Sequence, residues 1–189
     1  MHFTARVQAL RDRYPYQFAR TFEYGLSIET GWITIIESAC AQIDLALEEG
    51  NARKQNFSWL QIKEKLGSLR MYWDRGWSVP ESLQPLAAEY LPEFDYEEGV
   101  SETEMDLVTQ AIAKVVMVPE DVTLRIQKII DAAEEQASIT CQICGAPGNR
   151  KQLDGDGWVV VGCEKHGTRK AIVEFNRQFE NERGSSEHS

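Results

Sequence analysis

The sequence predicts an α+β fold: helices with a small antiparallel hairpin or sheet, followed by a C-terminal zinc module. Three observations carry this. Apolar residues recur with helical period over residues 31–49 and 119–137, and with strand period on both sides of Gly67. The segment from Cys141 to His166 reads C-x2-C-x18-C-x2-H, close to the paired spacing that marks a tetrahedral zinc site. The expected organisation is an α+β body over residues 1–138, a zinc-binding module over 139–183 packed on it, and a disordered tail at 184–189.

Phe3 to Tyr14 fits a short helix ended by Pro15. The aromatics that follow, Tyr14, Tyr16, Phe18, Phe22 and Tyr24, are mostly two apart, so this stretch is expected to be extended. A helix then places Trp32, Ile35, Ile36, Ala39, Ile43 and Leu47 on one face, with Thr30 as its cap and Gly50 as its stop. Cys40 falls near that face, as a buried structural cysteine does. In the hairpin, Phe57, Trp59 and Gln61 alternate with Ser58, Leu60 and Ile62. After Gly67, Leu69, Met71 and Trp73 alternate with Arg70 and Tyr72.

Residues 78–100 read as an acidic, proline-containing insertion. A capping box at Ser101–Glu104 then starts a helix carrying Met105, Val108, Ile112 and Val115. A second helix, from Pro119 to about Ala137, places Val122, Ile126, Ile129, Ile130 and Ala133 on one face and leads almost directly into Cys141. Within the module, Asn149–Leu153 and Gly157–Val161 form a hairpin turned at DGDG, with Trp158 and the valines as its core. The chain after Cys163 becomes helical, with Ile172, Phe175 and Phe179 on one face. A knuckle, a hairpin and a ligand pair at a helix start is the order of a treble clef; a zinc ribbon, which ends on a strand, is the alternative.

Charge narrows the function classes. The net charge is −10, and the excess of acids lies in the first 140 residues. From Gly76 to Ala113 there are nine acids and no Lys or Arg, so this stretch is either a solvated surface or a face for a basic partner. An anionic chain is poorly suited to broad contact with a phosphate backbone. No apolar run is long enough to span a bilayer, and the first residues lack a signal-peptide core. A cytoplasmic location, and no membrane partner, is the expectation. There thiols stay reduced, which favours metal binding over disulfides.

The expected ligands of one structural Zn2+ are Cys141, Cys144, Cys163 and His166. Competing uses of these residues fit less well. A redox C-x-x-C opens a helix after a strand, whereas CQICGAP leads into a loop. A zinc deaminase requires a Glu-bearing ligand motif and a Pro before its C-x-x-C, and Thr140 stands in that place. A nuclease on this scaffold needs more histidines than His2 and His188 near the termini.

Candidate partner-binding residues are the acids Glu93, Asp95, Glu97 and Glu98 and the hairpin cations Lys63, Lys65 and Arg70. Arg150, Lys151, Trp158, Arg169 and Lys170 would form a nucleic-acid surface if the module reads nucleic acid. An enzyme site beside Lys63, Glu64, Lys65 and Arg70 is the remaining alternative.

The segments GWITIIESAC (31–40), IKEKLGSLRMYW (62–73), IIDAAEEQASITCQICGAPG (129–148) and GWVVVGCEKH (157–166) resemble a family of small uncharacterised proteins of phages, prophages and bacteria. That family pairs a KEKFGGLRFY-like hairpin with a C-terminal CxxC and CxxH element. Leu66 stands where the family usually has Phe, and Ser68 where it usually has Gly. The resemblance covers most of the chain outside residues 78–100 and implies a shared fold and zinc site, but supplies no mechanism. The favoured expectation is a non-enzymatic, phage-encoded binding protein. It would act on a host or phage protein, inhibition of a defence or nucleic-acid-handling complex being the refinement that the acidic segment suits.

Overall fold

A computed structural model describes residues 3–19, 25–74, 118–153, 157–168 and 170–174. The acidic insertion, the helix expected after Ser101, the DGDG turn apart from Gly157, and the tail lie outside the described residues. Within them the chain is α+β. Helix α1 (Phe3–Arg13) is followed by a 3-10 turn (Pro15–Phe18), β1 (Leu26–Ser27), a 3-10 turn (Thr30–Trp32) and α2 (Ile33–Glu49). Next come a 3-10 turn (Lys54–Asn56), β2 (Ser58–Lys65), β3 (Ser68–Asp74), α3 (Glu120–Ser138), β4 (Asn149–Gln152) and β5 (Val159–Gly162). No helix among the described residues is long and apolar enough to cross a membrane.

Helices α2 and α3 pack antiparallel, because Arg125 pairs with Glu49 where α2 ends and α3 begins, while Trp32 meets Thr140 at the opposite ends. Their facing stripes, Ile36, Cys40, Ile43 and Leu47 against Val122, Ile126, Ile130 and Ala133, form one core with Phe57, Trp59, Ile62, Leu69 and Met71 of the sheet region. Burial pushes the Cys40 thiol up to about 12, which keeps it protonated and inert, as its place on the apolar face predicts.

Three local expectations are corrected. The stretch after Tyr14 is not extended throughout: Pro15–Phe18 is a 3-10 turn. The alternation there has a tertiary origin. Gln17 turns inward and is fully buried; its amide donates to the Cys40 carbonyl (2.9 Å), and its carbonyl oxygen accepts from Trp59 Nε1 (3.2 Å). Thr30 does not cap α2; it lies within the preceding 3-10 turn, and neither it nor Trp32, the N-cap, makes a side-chain cap. Gly50 ends α2 as expected; the left-handed conformation belongs to the next residue, Asn51 (φ 49°). A Cβ at Gly50 would lie 2.2 Å from Val122 Cγ2, so this glycine serves the contact between helices. In β2 the strict alternation fails because a bulge lies between Trp59 and Gln61. It leaves Leu60 exposed and moves Ile62, instead of Gln61, to the core side.

The sheet order is β1-β2-β3, with β1 parallel and β3 antiparallel to β2. Lys65 pairs with Ser68, so Leu66 and Gly67 alone make the turn. Both have positive φ, 51° and 70°, as the twist-matched two-residue hairpin turn requires. Glu64 Oε1 accepts from the Gly67 N–H at 2.6 Å. Glu134 of α3 reaches the edge strand β3, accepting from the Met71 N–H (3.0 Å) and from Arg70 Nη1 (3.2 Å). This covers part of an edge that would otherwise invite another strand.

Leucine in the left-handed region costs about 1 kcal/mol relative to the residues that favour it. Leu66→Asn is therefore expected to raise unfolding free energy by about 1 kcal/mol in urea titration, and an unchanged or lower midpoint would contradict the turn assignment. Asp44 offers a pH test. Burial raises its carboxyl, but hydrogen bonds from Lys54 and Tyr16 and the charges of Lys54 and Arg13 outweigh this and hold it below the usual range. Its stabilisation is therefore present above the unfolded carboxylate pKa and is lost as pH falls through the depressed folded value. Asp44→Asn should cost about 1 kcal/mol at neutral pH, allowing for the partial exposure of the pair. At pH below the depressed folded value the two proteins should unfold with equal free energies.

Candidate metal centre

The chain leaves α3 at Ser138 and enters the knuckle through a single bridge, Thr140 to Pro147. The knuckle closes on itself: the Cys141 N–H donates to the Ala146 carbonyl (2.7 Å), and the Gly145 N–H to the Cys141 carbonyl (2.8 Å). Gly145 has φ +77°, a conformation that carries the chain away after the second cysteine without a Cβ penalty. Gly148 allows close approach, since a Cβ there would lie 2.9 Å from the Cys141 nitrogen.

β4 and β5 pair antiparallel from Asn149↔Gly162 to Gln152↔Val159 and return the chain to the knuckle. Gln142 joins the two. Its N–H donates to the Val161 carbonyl (2.9 Å), and its side-chain oxygen accepts from the Val161 N–H (3.0 Å). Cys163 and His166 follow in a turn closed by the His166 N–H on the Cys163 carbonyl (3.2 Å). Thr168 Oγ1 then accepts from the Ala171 N–H, capping the helical residues 170–174. The expected helix therefore begins after Thr168 and not at Cys163, and it buries Ile172 as expected. Phe175 and Phe179 lie outside the described residues.

The four expected ligands converge. Their ligand atoms all lie within 4.8 Å of one another. Cys144 and Cys163 Sγ are 3.8 Å apart, and His166 Nδ1 lies 3.7 Å from Cys141 Sγ and 3.4 Å from Cys163 Sγ. A tetrahedral ion with bonds of about 2.3 Å to sulfur and about 2.0 Å to nitrogen separates its ligands by about 3.8 Å and about 3.5 Å. These three separations match a coordination shell, with His166 presenting Nδ1. Burial pushes the Cys144 thiol up to about 11. Burial acts in the same direction on Cys163, but the N–H groups of His166 and Lys165 and the neighbouring sulfurs bring it below its ordinary value. A bound cation would draw all three sulfurs into the thiolate form.

The module has a small core of its own, Cys141, Ile143, Leu153, Val160 and Ile172. β5 also faces the body: Val161 is fully buried in the main cluster. Val159 meets the hairpin turn, where a Cβ on Gly67 would lie 2.9 Å from Val159 Cγ1. The valines therefore divide between surfaces and do not form one hairpin core, and Trp158 is not part of it, being 38% exposed.

The candidates for nucleic-acid contact do not gather on one face. Arg150 sits opposite Val161 and donates from Nη2 to the Leu66 carbonyl (2.9 Å), bracing the body hairpin. Lys151, opposite Val160, points toward Gly167 on the other face. Lys170 is exposed, and Arg169 lies outside the described residues, as do Glu93, Asp95, Glu97 and Glu98. Lys63, Lys65 and Arg70 do share a face, on the body hairpin.

Sequence reasoning missed what attaches the cluster to the body. The Gly31 N–H donates to the Gln142 carbonyl and Trp32 Nε1 to the Thr140 carbonyl, each at 2.8 Å. A Cβ on Gly31 would stand 2.2 Å from the Cys141 oxygen and 2.5 Å from the Gly145 nitrogen. The only signal was a glycine one position before a tryptophan at a helix start, which the capping rules absorb without a tertiary role. Gly31→Ala should lower unfolding free energy by about 3 kcal/mol, because backbone on both sides of the contact must move. Calorimetry showing a loss under about 0.5 kcal/mol would mean the knuckle does not seat there.

Comparison with family models, with curated proteins and with solved structures finds no match to this chain.

Proposed function

We propose that this chain is a non-enzymatic, zinc-containing binding protein in which one Zn2+ is structural and the functional contact is made to another protein. The observation that carries this reading is the closed three-sulfur, one-imidazole set of Cys141, Cys144, Cys163 and His166, whose ligand atoms lie within 4.8 Å of one another with three separations of tetrahedral size. Soft thiolates with one imidazole favour zinc among the common divalent ions. When bound there, zinc would supply cross-linking energy to the fold. Four protein ligands leave no coordination position for water or substrate.

The order of knuckle, hairpin, second ligand pair and Thr168-capped helical residues supports a treble clef over a zinc ribbon, in which a strand would follow the second pair. The resemblance to phage and prophage proteins supports a target among host or phage proteins, a defence or nucleic-acid-handling complex being the refinement that an acidic inhibitor would suit. Engagement of Arg150 by the Leu66 carbonyl weighs against direct reading of nucleic acid by the module.

Metal analysis of the purified chain is expected to find one zinc per molecule. Cys163→Ser should lose the metal and melt roughly 10 °C or more below the parent, since metal binding here is folding free energy. Acidification should release the ion as its ligands take up protons. A metal-free parent that is equally stable would end the zinc reading. For the binding role, capture from bacterial lysate should retain a protein that is lost when Glu93, Asp95, Glu97 and Glu98 are neutralised or when the hairpin cations are reversed. Capture unaffected by both changes would end that reading.

A further inference from the structure

The side of the β2–β3 hairpin that faces away from the core carries a composition at odds with the rest of the chain. Trp59, Ile62, Leu69 and Met71 point inward. The alternate positions Lys63, Lys65, Arg70 and Tyr72 point outward, and Lys63 stands directly opposite Arg70. Like charges directly opposite one another on a sheet face repel. The Arg70–Glu134 pair, with the arginine 47% exposed, offsets only part of this.

Three large apolar side chains lie among these cations: Leu60 at the bulge, 42% exposed, Tyr72, 45% exposed, and Leu66 at the turn, 59% exposed. Leu66 is also in the left-handed conformation that asparagine or glycine would adopt at lower cost. A strained, exposed leucine at a hairpin tip is an outlier that points to use. The tip is fixed from beneath by Arg150 on the Leu66 carbonyl and by Val159 against Gly67, so this surface is presented on a rigid support.

We propose that this outer hairpin face is the docking surface for an acidic, apolar-bearing peptide segment of a protein partner. The proposal rests on the binding-protein reading and specifies its surface and partner class. Charge complementarity selects the acids, and Leu60, Leu66 and Tyr72 select apolar side chains between them. Pairing of a partner strand at β3 is disfavoured because Glu134 already holds the outward Met71 N–H. Nucleic acid fits less well, because Lys63 Nζ lies 5.4 Å from the Tyr72 ring centroid, covering a face on which a base would stack.

The test is selection of a random dodecapeptide phage library on the full-length, zinc-loaded chain, followed by fluorescence-polarisation titration of synthesised winners. Selected peptides are expected to be enriched in Asp or Glu adjacent to Leu, Phe or Tyr. Lys63→Glu combined with Lys65→Glu should weaken them by about tenfold or more. Leu66→Asn should weaken them by about fivefold while the protein becomes more stable, which separates loss of contact from loss of fold. Unchanged circular dichroism and zinc content serve as the folding control, and Lys63→Gln provides a milder variant if the double reversal does not fold.

Peptides without acidic enrichment, or bound equally by parent and variants, would overturn the proposal. Oligothymidine binding that is lost in the same variants, with no peptide selected, would overturn it in favour of nucleic acid. Lysate capture that survives the Lys63 and Lys65 reversals but fails when Glu93, Asp95, Glu97 and Glu98 are neutralised would remove this surface while leaving the binding-protein reading standing.

Discussion

The architecture depends on a close approach of backbone to backbone where the cysteine knuckle sits on the entrance to α2. Gly31 has no room for a side chain, because the Cys141 carbonyl and the Gly145 nitrogen occupy the space a Cβ would take. Its N–H donates to the Gln142 carbonyl, and the neighbouring Trp32 indole to that of Thr140. Helix entrances leave donors unsatisfied and usually recruit a side-chain cap. Here a carbonyl of the knuckle takes one of those donors. The entrance to α2 and the cysteine–histidine cluster are therefore parts of one structure.

From this seam the rest follows in sequence. The knuckle fixes Gln142, Gln142 fixes Val161, and Val161 enters the body core while its neighbour Val160 enters the module core. β5 is thereby shared between two cores. Its other contact, Val159 under Gly67, together with Arg150 on the Leu66 carbonyl, carries the support out to the hairpin tip. The KEKLGSLR stretch can be understood from these contacts: Glu64 closes the turn, Gly67 admits Val159, Leu69 is core, and Arg70 pairs with Glu134. Among the described residues the side chains of Lys65 and Leu66 have no comparable task, and they face outward together with Lys63, which lies over Tyr72.

The helices and the ligand set were legible in the sequence for different reasons. α2 and α3 bury broad apolar stripes, and a period of 3.6 is visible whatever lies opposite. The cysteines and His166 were legible because coordination demands particular atoms at short spacing. The errors occur where tertiary contact overrides local pattern. Alternating aromatics near Tyr16 imitate a strand, but the buried Gln17 between them answers to Cys40 and Trp59 across the core. The bulge at Leu60 breaks an alternation that the letters alone continue. Trp158, expected in the core of the module hairpin, is instead 38% exposed ahead of β5, and Arg150 braces the body hairpin.

The sequence by itself determined the chemistry of the cluster, the two long helices and the hairpin, because each is set by residue type and spacing within a short stretch. The tertiary structure decided which surface is left over. Whether a lysine, a leucine or an arginine is committed to a partner depends on what other segments bring within a few ångströms of it. Leu66 and Arg150 are 84 residues apart in the chain and 2.9 Å apart in the fold, measured between the atoms that bond.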